Sequence, residues 1–120
     1  MAIRDKLRTS AAAQLRPGEQ IQAVFVAQRA NPAWFLLSYW IIVVKGYYAI
    51  AATDQRIVVF RTSGLAMTKF KGVAKELPRA TVFGPPQGKV NAKVLLGDEN
   101  VWVHRRFWND MKAADAAIGR

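Results

Sequence analysis

The chain has no cysteine and a single histidine among its 120 residues. The first absence excludes disulfides, thiol nucleophiles and thiolate metal sites, and it fits a reducing cytoplasm. The second leaves His104 with no second imidazole for a metal set, and in the stretch His104-Arg105-Arg106 a structural or solvated role outweighs a catalytic one. Serine is scarce too: Ser10 and Ser63 sit in polar or turn contexts and Ser38 lies inside an apolar run, so a Ser/His/Asp arrangement would be arbitrary. The glycines form neither a Walker loop nor a GxGxxG after a strand. The opening MAIRDKLRTSAAAQL lacks an apolar core followed by a cleavage site and does not read as a signal peptide. These absences point to a non-enzyme with no catalytic, cofactor or metal residues and no small-molecule substrate. They place it in the cytoplasm or peripherally on the inner face of the plasma membrane.

Acidic residues are also few, 8 against 18 Lys and Arg, for a formal net charge of +10. Such a balance implies an anionic partner, which nucleic acid, lipid head groups or acidic proteins would each satisfy. Between residues 61 and 93 seven basic residues face only Glu76. Lys69, Lys71, Lys75, Arg79 and Lys89 are the candidate contacts to an anionic surface, each worth about 1 kcal/mol beside an acidic bilayer. The alternative is charge that is scattered and merely solubilising.

What the chain does have is the run AWFLLSYWIIVVKGYYAIAA, residues 33 to 52, with one charge and two tryptophans. It reaches the length of a membrane span, but Lys45-Gly46 divides it into pieces too short to cross. Trp34, Phe35, Tyr39 and Trp40 are the candidate membrane or partner contacts, because Trp and Tyr favour the depth of lipid head groups and because an apolar patch of this size marks an interaction surface.

Periodicity supplies the elements. Ile3, Leu7, Ala11 and Leu15 recur at helical spacing until Pro17-Gly18, so residues 1–16 form a basic N-terminal helix or arm, packed or lying on an acidic surface, and residues 17–120 form the domain. Ile21, Ala23, Phe25 and Ala27 then alternate with polar residues and Val24 and Val26, which predicts a strand with one apolar face. Tyr47 to Ala52 and Ile57 to Phe60 make a hairpin, the second arm apolar on both faces as in a sheet interior. Shorter pieces are expected at 69–73, 75–77 and 81–83, then a hairpin from 90–96 to 101–103 turned by Gly97-Asp98-Glu99-Asn100. Phe107, Met111, Ala114 and Ile118 give a final helix from about 106 to 118 one apolar stripe. The expectation is a mainly β, α+β domain: a small antiparallel barrel of about seven strands capped by a C-terminal amphipathic helix.

Leu15-Arg16-Pro17-Gly18-Glu19 before the first strand, Thr53-Asp54-Gln55-Arg56-Ile57-Val58-Val59-Phe60 at the second hairpin, and Phe107-Trp108 in the last helix resemble the bacterial pleckstrin-homology-like (PH-like) domains over nearly the whole chain. The resemblance implies a bent seven-stranded barrel closed by the C-terminal helix, serving as a lipid-binding or protein-binding module. Trp34 to Val44 is more apolar than the Lys-rich first loop with which eukaryotic PH domains hold inositol phosphates, so the likeness does not extend to that ligand. Independently of it, Thr53 and Asp54 can accept nearby backbone N–H groups, and Arg56 can pair with Asp54 or with carbonyls at the barrel rim. Asp54 and Arg56 are therefore structural residues.

The function expected is a PH-like binding module on anionic membranes. The alternative is a homo- or hetero-oligomeric assembly module using the same apolar segment. Nucleic acid ranks behind both, because no RNP-like, helix-turn-helix or zinc motif occurs and the aromatics lie in apolar runs instead of among Lys and Arg.

Overall fold

The structure, a computed structural model, describes residues 3–29, 47–63, 66–84, 91–97 and 99–118. Helix α1 spans Ile3–Ala12, and the strands are β1 (Ile21–Gln28), β2 (Tyr47–Thr53), β3 (Arg56–Ser63), β4 (Ala66–Pro78), β5 (Asn91–Leu96) and β6 (Glu99–His104). A 3-10 turn, Arg105–Phe107, leads into helix α2, Trp108–Ala116. The strands form one antiparallel sheet in the order β4-β3-β2-β1-β6-β5. The sheet curls into a half-barrel, so that β4 meets the β5–β6 turn: Lys75 Nζ lies 3.3 Å from Glu99 Oε1, and Leu77 lies against Gly97. Gly97 has φ +68°, a conformation that favours glycine, and an added Cβ would come 3.3 Å from Leu77 Cδ2, close enough that the leucine would have to shift.

Six strands, against the expected seven or so, are found among the described residues, because 69–73 and 75–77 are one strand. The β3–β4 register shifts at Val59/Phe60, Arg61/Thr62 and Thr62/Ser63, and these bulges bend the 13-residue β4 without ending it. The break in alternation that reads as a gap in sequence is thus a bend. Residues 81–83 join no ladder, yet Phe83 is buried, with its ring edge-to-face on Phe25 at 5.3 Å between centroids.

β2 and β3 are interior, with Ile50, Ile57, Val58, Val59 and Phe60 fully buried. β1 departs from its expected single apolar face: Val24 and Val26 are buried as well as Ala23, Phe25 and Ala27, because both helices pack on this strand. α1 docks through Leu7 and Ala11, both wholly buried, while Lys6 and Arg8 stay exposed. α2 docks through Met111 and Ala114, with Phe107 of the preceding turn beneath them and Trp108 Nε1 donating to Val103 O at 2.8 Å. Ile118 is only half-buried, beyond the helix end.

α2 also holds the 81–84 connection. Asp115 accepts the N–H groups of Phe83 and Gly84, one on each carboxylate oxygen, both at 2.9 Å. Asp115→Ala strands two part-buried donors and is expected to cost about 1–3 kcal/mol, read as a lower urea midpoint at unchanged slope.

Candidate functional site

The two ends of the half-barrel differ in chemistry. At one end the motifs around Glu19 and Arg56 lock together. Arg16-Pro17-Gly18-Glu19 is a tight turn, closed by Glu19 N donating to Arg16 O at 3.1 Å, with Gly18 at φ +81° where only glycine is at ease. The turn sets the Glu19 carboxylate inside, its side chain 0% exposed, where Arg56 Nε and Nη2 reach its two oxygens at 2.9 and 3.1 Å. Thr53 Oγ1 donates to the same carboxylate at 2.6 Å and accepts the N–H groups of Gln55 and Arg56. Arg56 Nη1 also pairs with Glu76. The hydrogen bond from Arg56, opposed by burial and assisted by Thr53 and the Arg16 N–H, holds the Glu19 carboxyl down at about 2.

Asp54 is not the partner of Arg56. Its Oδ1 accepts the Gln20 N–H at 3.0 Å, and its own N–H donates to Gln20 O at 3.0 Å, tying the β2–β3 turn to the start of β1. Sequence reasoning assigned both residues to structure but missed Glu19, the only carboxylate of the group that is wholly inside. The signal was available, since Glu19 directly follows a Pro-Gly turn and precedes an apolar strand.

The opposite end carries the candidate contacts. Gln28 and Tyr47 are register partners, so the connection from β1 to β2, which contains the aromatic segment, leaves and re-enters the sheet at adjacent points. A row of partners crosses the sheet there: Lys93 opposite Trp102, Trp102 opposite Gln28, Gln28 opposite Tyr47, with Thr62 Oγ1 bonded to Tyr47 O at 2.9 Å and Phe70 opposite Thr62. Lys93, Arg61 (opposite Tyr48) and Lys71 (beside Gly72, which is opposite Arg61) are all exposed along this rim.

Of the residues singled out from sequence, Lys71 lies on the rim and Lys69 lies in the same strand. Trp34, Phe35, Tyr39, Trp40 and Lys89 lie outside the described residues. Lys75 and Arg79 are half-buried and turned to partners within the fold. Lys75 meets Glu99 in the mouth of the half-barrel, where Glu99 also accepts the Tyr48 hydroxyl at 2.9 Å and pairs with Arg29 at 3.7 Å. The Arg29 guanidinium lies over the Tyr48 ring at 4.5 Å. Burial first, then the bond to Glu99, pushes the Tyr48 phenol above its ordinary value. Arg79 is at the locked side, forked onto Gln22 Oε1 at 2.7 and 3.1 Å and bonded to Ala114 O at 2.9 Å. Both are long side chains whose charge suggested a surface but which the fold brings within reach of an internal acceptor.

A cavity of about 90 Å³ opens beside the rim, between β1, the start of β2, β6 and the 3-10 turn. Its polar residues are Gln28, His104 and Arg106, with Tyr47 and Trp102 as aromatic walls and Val26 and Phe107 behind. His104 Nδ1 accepts the Arg106 N–H at 3.1 Å, which leaves Nε2 to carry the proton of the neutral ring. Burial, then the charges of Arg106 and Arg105, hold its pKa below the usual imidazole value.

Among the described residues no group of His, Asp and Glu could hold a metal ion, and no helix is long and apolar enough to cross a membrane. Compared with family models, curated proteins and solved structures, the chain finds no match in any of the three.

Proposed function

We propose that this chain is a non-catalytic PH-like binding module that associates with anionic membrane surfaces through its aromatic segment and the cationic rim at the root of that segment. The curled antiparallel sheet with a docked C-terminal helix supports the PH-like reading. The observation that carries the membrane reading is the pairing of Gln28 with Tyr47, which roots the segment holding Trp34, Phe35, Tyr39 and Trp40 beside exposed Lys93, Arg61 and Lys71. Aromatic burial at the head-group depth and attraction of the rim cations then act together. Three rim cations at about 1 kcal/mol each are too weak to hold a protein without the aromatics. The aromatics contribute about 25 cal/mol per Å² of apolar surface removed from water. The attraction decays within a Debye length of about 8 Å at physiological salt, so binding weakens as salt rises.

Tryptophan fluorescence tests the reading. With anionic vesicles the emission is expected to shift to the blue, and most of the shift is expected to be lost in Trp34→Ser/Trp40→Ser, in which Trp108, bonded to Val103 O within the fold, is the internal reference and Trp102, on the rim, accounts for what remains. Arg61→Gln/Lys71→Gln/Lys93→Gln is expected to need at least tenfold more anionic lipid for the same shift. A shift of equal size with neutral vesicles, or one unaffected by the triple substitution, contradicts the proposal.

A further inference from the structure

β1 and β6 are joined through a single residue pair, Gln28 with Trp102, among the described residues, and the cavity described above opens beside that pair. The register adds one more cation to it. Cross-strand partners share a face of the sheet, so exposed Lys93, opposite Trp102, stands beside the indole that forms one wall. The cavity therefore offers the Gln28 amide, the His104 ring N–H and the Arg106 guanidinium, which lies over the Phe107 ring at 4.9 Å, with the Lys93 ammonium nearby, and among the described residues no carboxylate lines it.

Such a lining selects an anion. The volume, about 90 Å³, is well above the ~30 Å³ share of one liquid water and below the ~150 Å³ of a cavity that houses benzene. It suits a compact oxyanion. Donors brought from β1, β6 and the 3-10 turn suit an acceptor with several oxygens, and an arginine fork matches phosphate geometry.

We infer that this cavity seats a phosphate group, carried by a lipid head group or by a soluble phosphate ester. The lipid source rests on the membrane reading above; the phosphate chemistry does not.

NMR of the full chain, following the His104 ring signals during titration with glycerol 3-phosphate, reads the site directly. A saturable shift is expected, absent with acetate at equal concentration and ionic strength. Arg106→Gln is expected to weaken it about tenfold, the loss of one charge-assisted hydrogen bond. In His104→Asn, which keeps an oxygen to accept the Arg106 N–H, the tryptophan indole signals replace the imidazole as reporter and the same weakening is expected. Cosedimentation with phosphatidic acid vesicles separates the sources. If both variants also bind these vesicles about tenfold more weakly, the phosphate is a lipid's. If they bind vesicles normally, or if the wild type ignores vesicles, while the titration still saturates, the site stands with a soluble ester as its ligand. The inference is overturned by an unmoved His104 with variants that bind vesicles like wild type, a result that leaves the membrane reading intact. An equal response to acetate overturns it as well.

Discussion

Arg56→Ala is expected to cost about 3–5 kcal/mol, a large share of the roughly 5–15 kcal/mol that holds a domain of this kind together. The substitution leaves the Glu19 carboxylate enclosed without its cation, with Thr53 and the Arg16 N–H as its remaining donors. Breaking a buried pair from one side is costly because the surviving charge is stranded. Removing both charges, as in Glu19→Gln/Arg56→Met, is expected to recover a substantial part of the loss. The same carboxylate sets a pH dependence. Its pKa falls from 4.5 to about 2 on folding, so the unfolded chain binds the proton more readily. The stabilisation is complete above pH 4.5 and is lost as pH falls toward 2, an effect on the order of 3 kcal/mol. Urea midpoints between pH 6 and pH 2 read it, and the part of the decline due to this group is expected to be missing in Glu19→Gln. Association with vesicles at neutral pH is expected to survive in whatever fraction of Arg56→Ala is folded, since the lock lies at the end opposite the rim.

Met111→Asp is expected to unfold the protein. Met111 is fully buried on α2 where that helix packs on β1, between Phe107 and Ala114. A carboxylate placed there is set among the apolar side chains of the core, and burying an unpaired charge costs several kcal/mol. Far-ultraviolet and near-ultraviolet circular dichroism at 25 °C should show loss of both signals. A melting temperature equal to wild type would mean that α2 does not seal the half-barrel. Met111→Leu, conserving volume and polarity, is expected to stay within about 1.5 kcal/mol of the parent.

Much of this architecture is written in short-range pattern. The β5–β6 hairpin follows from strict alternation around a Gly-Asp turn, and the buried positions of α2 follow from the spacing of Phe107, Met111 and Ala114. What pattern cannot carry is curvature and long-range pairing. The bulges that merge two pieces into β4 depend on register with β3, and the partners of Arg56, Lys75 and Arg79 lie 37, 24 and 57 positions away in sequence. Charge alone made Lys75 and Arg79 look like surface residues; the acceptors that draw them inward appear only when β4 crosses the β5–β6 turn and the 78–79 turn reaches β1 and α2. His104 illustrates the converse. A lone histidine has no legible role in sequence; in the fold its Nδ1 accepts the Arg106 N–H and its ring lines the cavity that β6 forms beside β1.

Cosedimentation of the full chain with vesicles, paired with light scattering of the unbound protein, tests the central claim most directly. The account predicts a monomer that pellets with anionic but not neutral vesicles, is released by raised salt, and stays in the supernatant when Trp34 and Trp40 are both serine. A salt-insensitive dimer that ignores both kinds of vesicle, and that the two tryptophan substitutions convert to monomer, would contradict it and make the aromatic segment an assembly surface.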